Sequence, residues 1–310
     1  MAKVVALGGG HGLAATLAAL RQITQEITAI VTVADNGGSS GRLRAEFPIF
    51  PPGDLRMALT ALCADDDWGR TWAQILQHRF ASHGELNGHA LGNLLLASLW
   101  NAGDDPVVAL DRVGQLLKVI GRVLPMAAVA LDIEGTFITS TGRIVVQGQK
   151  EVATARGNIQ SLRIIPEDPP ARQEALDAIA DAEWITMGPG SWFSSVIPHL
   201  LVPAQLFALK NSPAKRILIL NLDASTQSQG EEFAGSTPEQ HLEFFHHYAP
   251  GLTVDYCLVD QSVVRDEDAL RTTASTLGSE IIVADIRKAP GSIHHDAEKL
   301  ASHLGHIFSR

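Results

Sequence analysis

The stretch "KVVALGGGHGLAATLAALRQI", residues 3–23, sets the reading of the whole chain. Four apolar residues in a row, two of them β-branched, suit a strand buried on both faces, as in a parallel sheet. Glycines at 8, 9, 10 and 12 then break the run, and "LAATLAAL" continues with helical periodicity. Strand, glycine turn and helix in that order form the opening unit of a doubly wound α/β fold. "ITAIVTVAD", residues 27–35, supplies the next strand. Helical patterns follow in "GDLRMALTALCA", "WAQILQHRF", "HALGNLLLASLW" and "PVVALDRVGQLLKVI". The texture changes from Arg122 to about Pro166, where short strand-like pieces alternate with turn residues. This segment, 122–166, is expected to be a small β-rich sub-lobe. The α/β rhythm returns in "ALDAIADAEWITMGPGS", "RILILNLDAS", "VDYCLVD" and "EIIVADI". No repeat, low-complexity tract or flexible linker divides the chain. The expectation is one Rossmann-like three-layer αβα sandwich over residues 1–310 with that insertion inside it.

Bulk properties restrict the function. The 310 residues carry 24 basic and 34 acidic side chains, a formal charge of -10, and the basic ones are scattered. The electrostatic footprint of a nucleic-acid-binding domain is therefore missing. Cys63 and Cys257 are the two cysteines and have no CxxC spacing, which gives no disulfide framework and fits a reducing cytosol. No apolar run approaches the ~18 residues of a membrane helix. The apolar start superficially resembles a signal peptide, but glycines and His11 interrupt it. A cytoplasmic protein without membrane insertion or nucleic-acid partner is expected.

Three glycine-bearing loops carry the functional signal. Gly10, Gly12 and Ala15 satisfy G-x-G-x-x-A after the first strand, and Asp35 ends the second. This approaches the dinucleotide fingerprint, in which a helix N-terminus holds phosphate and an acid holds ribose. An NAD enzyme would hand over from Asp35 to an ordinary loop, whereas "NGGSSGR", residues 36–42, looks like a second anion nest backed by Arg42. "GGSSG" formally matches a nucleophile elbow, yet Ser39 lies too far beyond the strand for one. "PPGDLRMALTAL" places Asp54 just before a helix, where spacing alone favours an N-cap. The alternative pairs Asp54 with Asp35 on a divalent cation. His89 and Asn93 in "GHALGNLLLASL" share an early helical face, from which Asn93 could bond a base or phosphate. "WITMGPGSWFSSVIPHLL" is a third strand–loop–helix unit, with Gly188, Gly190, Ser191, Ser194 and Ser195 at the turn. At the carboxyl edge of an open parallel sheet these loops would converge on one crevice. Bare backbone there lets phosphate and sugar approach closely.

Other histidines are discounted. "HDAEKLASHLGHIF", residues 295–308, reads as an amphipathic helix with Leu300, Leu304, Ile307 and Phe308 inward rather than as a zinc site. "FFHHY" reads as a helix end, and Trp184 and Trp192 as core.

In order and spacing, "VTVADNGGSSGRLR", "PPGDLR", "GHALGNLLLASL", "GRVLP" and "GPGSWFSSVIPHLLVP" resemble the motifs of the CofD-like superfamily. The branch they resemble is that of bacterial gluconeogenesis factors (YvcK-type). The resemblance implies a Rossmann-like fold, a cytoplasmic location and binding of UDP-sugars such as UDP-N-acetylglucosamine or UDP-glucose. It also implies regulation of cell shape and cell-wall synthesis through cell-wall or morphogenesis proteins; a homo-oligomer is left open. The superfamily's enzyme, 2-phospho-L-lactate transferase, uses Mg²⁺, and its metal-site acids match Asp35 and Asp54. Mg²⁺ is the one cofactor this suggests, and no residue is singled out as catalytic. By the loop reading and the same resemblance together, Gly9, Gly10, His11, Gly12, Asn36, Gly37, Ser39, Ser40, Arg42, Asn93, Gly188, Gly190, Ser191 and Tyr256 are the expected nucleotide contacts. The chain departs from the pattern at four places. His11 replaces a threonine, Asn36 replaces an acid, "DASTQSQGEE" replaces a Pro-Gly-Glu-Thr turn, and His294 stands for the arginine of an Arg-His-Asp segment. A UDP-sugar-binding regulator is the leading expectation, with a Mg²⁺-dependent transferase as the alternative.

Overall fold

The structure is a computed structural model that describes residues 1–222 and 237–310. The "DASTQSQGEE" departure lies outside the described residues. The described strands are β1 (Val4–Gly8), β2 (Ile27–Val31), β3 (Arg122–Pro125), β4 (Asp132–Thr139), β5 (Gly142–Gln147), β6 (Asn158–Ile165), β7 (Trp184–Met187), β8 (Lys215–Ile219), β9 (Tyr256–Asp260) and β10 (Glu280–Ala284). Seven of them form one parallel sheet in the order β10-β9-β8-β7-β1-β2-β3, flanked by helices. The chain runs outward from β1 to β3 on one side and from β7 to β10 on the other. The strand order therefore reverses between β1 and β7, the point at which open α/β sheets bind ligands beyond the carboxyl ends of their strands.

The central strands follow from composition. All five residues of β1 are buried, because a parallel strand covered by helices on both faces has no solvent side. The first helix, α1 (Gly10–Leu20), buries Leu13, Thr16, Leu17 and Leu20, spaced at helical intervals. Trp184 and Trp192 are core residues, as their sequence context suggests. Leu300, Leu304 and Ile307 are also buried, on the helix Ala297–Phe308.

The β-rich segment is smaller than its sequence texture implies. β3 pairs in parallel with β2, Thr28 opposite Arg122 and Val31 opposite Pro125, and so belongs to the main sheet. A short apolar run does not by itself distinguish a buried parallel strand from a hairpin strand. The separate sheet is antiparallel, ordered β5-β4-β6, and spans residues 132–165. Within it, "QKEV" is helical rather than extended, in the short helix Gln149–Thr154. Gly148 makes the break at φ 107, a conformation that side-chain-bearing residues rarely adopt.

Among the described residues no single helix is long and apolar enough to cross a membrane. Leu17 is completely buried where α1 meets the sheet. Leu17→Ala is expected to cost about 3 kcal/mol of stability, from lost transfer energy and a residual cavity, read as a lower urea midpoint.

Candidate functional site

A cleft of about 500 Å³ opens at the reversal of strand order. Its floor is backbone. A Cβ added to Gly12 would lie 2.1 Å from the Pro189 carbonyl oxygen, and one added to Gly9 would lie 2.5 Å from Asp54 Oδ2. The loop after β1 and the loop after β7 thus touch main chain to main chain. α1 begins with Gly9 as its N-cap and no side-chain cap, so its first N–H groups are not all claimed within the helix. Two side chains hold the second loop in place. Thr16 Oγ1 donates to the Gly188 carbonyl at 3.1 Å. Asn221, just past β8, accepts from Gly190 N–H at 2.8 Å and donates to the Gly190 carbonyl at 2.6 Å. Beneath β1, Gln205 donates to His199 Nδ1 at 2.8 Å, which leaves the His199 Nε2–H to donate to the Gly8 carbonyl at 3.3 Å. Burial holds this imidazole neutral, its pKa pushed down to about 4.

The two acids come together as a pair, and Asp54 is not a helix cap. It is the third residue of α3 (Pro52–Ala61, after α2, Gly38–Glu46), whose N-cap is Pro51. Its carboxylate faces the first glycine loop instead and accepts from the Gly10 N–H. The Asp54 Oδ2 atom is buried with no hydrogen-bond partner. Burial first, and then the nearby Asp35 charge, push the Asp54 pKa up to about 7 against the pull of Gly10 N–H and Arg56. Asp35 Oδ1 accepts from Gly37 N–H at 2.8 Å. Its Oδ2 lies against Gly53, where a Cβ would come within 3.0 Å of it. An orphaned carboxylate oxygen beside a second carboxylate is a site that a cation satisfies. Among the described residues no cluster of three or more His, Cys, Asp or Glu side chains could hold a metal ion. Two carboxylates completed by waters and ligand phosphates are nevertheless the usual holding set for Mg²⁺, and Asp35 and Asp54 fit it.

Of the residues expected from sequence, Gly9, Gly10, His11, Gly12, Asp54, Gly190 and Ser191 line the cleft, and Gly188 lies just behind it. Others are placed elsewhere. Ser39 and Asn93 belong to a buried polar network. Arg56 Nε donates to Asn93 Oδ1 at 2.8 Å, Asn93 Nδ2 to Ser39 Oγ at 3.0 Å, and Ser39 Oγ lies 2.9 Å from His89 Nδ1. Arg56 also reaches Gln77. His89 precedes its helix, Leu91–Asn101, yet meets Asn93 on the same hydroxyl. Ser40 Oγ accepts from Gly53 N–H at 3.0 Å, tying α2 to α3. Arg42 turns outward and donates to the carbonyls of Glu85 and Asn87. Gly37 is the N-cap of α2. Asn36 donates to Glu151 at 3.0 Å and accepts from Lys150 N–H at 3.2 Å, fastening the antiparallel lobe to the Asp35 loop. Tyr256 opens β9 at the amino edge of the sheet, stacked 6.2 Å from Trp184, and does not reach the cleft.

Sequence reasoning missed several lining residues: Asn221, His241, His294 and His295. His294 and His295 are not in the C-terminal helix, which starts only after its Asp296 cap accepts from Glu298 and Lys299 N–H. The aspartate after two histidines was the available signal. His295 Nε2–H donates to the Leu220 carbonyl at 3.2 Å, and burial first of all pushes its pKa down to about 4.

The family described as 2-phospho-L-lactate transferase CofD matches residues 4–300. The chain belongs to the CofD family. Relatives bear the name gluconeogenesis factor. One, the putative gluconeogenesis factor of Mycobacterium tuberculosis, is 49% identical over 99% of this chain and 90% of that protein. The Bacillus subtilis gluconeogenesis factor is 34% identical over 97% of this chain and 96% of its own. A crystal structure of a UPF0052-family protein from Bacillus halodurans superposes with a TM-score of 0.86 at 34% identity, covering 97% of each chain.

Two variants of this CofD-family chain test the geometry. Gly12→Ala forces the two loops apart and is expected to cost about 1–3 kcal/mol, seen in denaturant unfolding, and to weaken any cleft ligand. Asp54 has a folded pKa near 7, well above the unfolded value of about 3.9. Its protonated form adds stability at low pH that is lost as pH rises through that folded value. In EDTA, Asp54→Asn should therefore raise the melting temperature by several degrees near pH 8 and hardly at all near pH 4.

Proposed function

We propose that the protein is a UDP-sugar-binding regulator that works in the cytoplasm and links carbon metabolism to cell-wall synthesis and cell shape. The observation that carries the binding half is the contact of two glycine loops around the start of α1, whose Gly9 N-cap has no side chain, at the reversal of strand order. Such a floor offers N–H groups and the positive end of a helix to phosphate oxygens. The cleft volume, about 500 Å³, suits a small-molecule ligand. The uridine sugar class and the link to cell wall and shape rest on the motif resemblance, and the link to carbon metabolism on the names its relatives bear.

One observation favours a second reading, a Mg²⁺-dependent transferase of the 2-phospho-L-lactate type. The unpartnered Asp54 oxygen beside Asp35 is suited to a cation that would neutralise a transferred phosphoryl group. Asp35 and Asp54 would hold it, while the Gly9–Gly12 loop orients the phosphates.

A melting-temperature panel separates the two. UDP-N-acetylglucosamine, UDP-glucose, GTP and NAD are each added with Mg²⁺ and with EDTA. Ligand at a hundred times its Kd adds about 2.7 kcal/mol of stability. The regulator reading expects a shift with UDP-sugars that Asp54→Ala leaves in place in EDTA. A shift confined to GTP with Mg²⁺ and abolished by Asp54→Ala would replace it with the transferase.

A further inference from the structure

The cleft has a charge problem that its own composition exposes. None of the described residues lining it is a lysine or arginine. Residues 223–236, which follow Leu222, contain no lysine, arginine or histidine. A diphosphate brings about two negative charges, and a helix N-terminus returns about half of one. Burying the remainder unpaired is strongly unfavourable. The cation then has to come from a bound metal ion or from the four histidines that line the cleft: His11, His241, His294 and His295.

Two of the four are poor candidates. His241 and His295 are held neutral by burial, both pushed down to about 4. His295 also keeps its Nε2–H on the Leu220 carbonyl. His11 and His294 differ, since both are exposed. They come from different elements and lie side by side in the cleft, ring centroids 6.2 Å apart and planes inclined by 46°. His11 is the second residue of α1, directly at the helix start. His294 rides on the loop after β10, which is firmly anchored. Asp260 accepts from Ile286 N–H at 3.0 Å, and Arg287 donates to Ser262 Oγ at 3.0 Å and to the Ser292 carbonyl.

We infer that the paired rings of His11 and His294 form a clamp that takes up protons as an anionic diphosphate enters the cleft. The inference rests on the cleft being a phosphate site and is independent of which nucleoside the ligand carries. The charges facing the clamp support it. Partial burial, His294, Arg56 and Arg79 all hold the free His11 below its ordinary value. Arg56 is committed to Asn93 and Gln77, and Arg79 to the Gly88 carbonyl, so neither is offered to the ligand. Around His294 stand His11 and His295, with Lys288 joined to it through a backbone hydrogen bond. The His11 ring is thus biased toward its neutral form in the free protein. A diphosphate at the exposed edges of the two rings reverses the balance by favouring both imidazolium forms. Affinity then rises as pH falls, by up to tenfold per unit for each proton taken up.

The test follows the histidine ring protons by NMR, assigned with His11→Gln and His294→Gln, in EDTA with and without inorganic pyrophosphate. The two resonances are expected to titrate about one unit higher or more in the complex. Calorimetry in two buffers of different ionisation enthalpy, with pyrophosphate and then UDP-N-acetylglucosamine, should show net proton uptake. Asp54 also lines the cleft with a pKa of about 7, so the comparison is made in an Asp54→Asn background, where adding His11→Gln and His294→Gln should abolish the uptake and the tenfold affinity gain. Pyrophosphate uptake without UDP-sugar binding would keep the clamp and overturn the proposed ligand. Tight UDP-sugar binding with unmoved histidines would keep the ligand and overturn the clamp. Failure of both probes at every pH from 5.5 to 8 overturns both.

Discussion

Everything at the cleft depends on two stretches of main chain lying in direct contact. Gly12 sits so close to Pro189 and Gly190 that no side chain fits between them. That contact joins the exits of β1 and β7, the adjacent strands at which the sheet changes direction. It also brings Asp54 against Gly9, because α3 packs on the same loop. The burial that raises the Asp54 pKa and the close approach that requires glycine are two results of one packing arrangement.

Behind the cleft, polar groups are spent on rigidity. The chain from His89 through Ser39, Asn93 and Arg56 to Gln77 satisfies donors and acceptors that would be costly to bury unpaired. It braces α2, α3 and the helix Leu91–Asn101 against one another. The half-buried Asp35, the buried Asp54 in front of it, and the cleft histidines are left to meet a ligand. Asn36 gives the antiparallel lobe a similar bracing role: Glu151 and the Lys150 N–H hold the lobe against the Asp35 loop, and Gln149 reaches the cleft wall.

The sheet and its glycine turns were readable from the sequence because buried parallel strands are continuous apolar runs and glycine marks the exits. Spacing favoured a cap for Asp54 and kept its pairing with Asp35 as the alternative, which the family motifs then supported. Other placements were beyond the same signals. Ser39 and Asn93 sit at helix starts that look alike whether they face a ligand or the core. Tyr256 is aromatic on a late strand, but it is that strand's first residue, and in a parallel sheet the first residue lies at the edge away from the ligand. His295 was absorbed into a helix whose true beginning is fixed by the carboxylate of Asp296, and His294 was noted only as standing for a family arginine.

Asn221 has an effect that reaches past its two hydrogen bonds. Its side-chain amide gives Gly190 one acceptor and one donor, as a neighbouring strand would. It acts as a surrogate peptide group three residues past Met187 and Leu218, the last backbone pair of β7 with β8. The loop after β7 is therefore ordered before any ligand arrives, and the entropy of arranging it is charged to folding instead of binding.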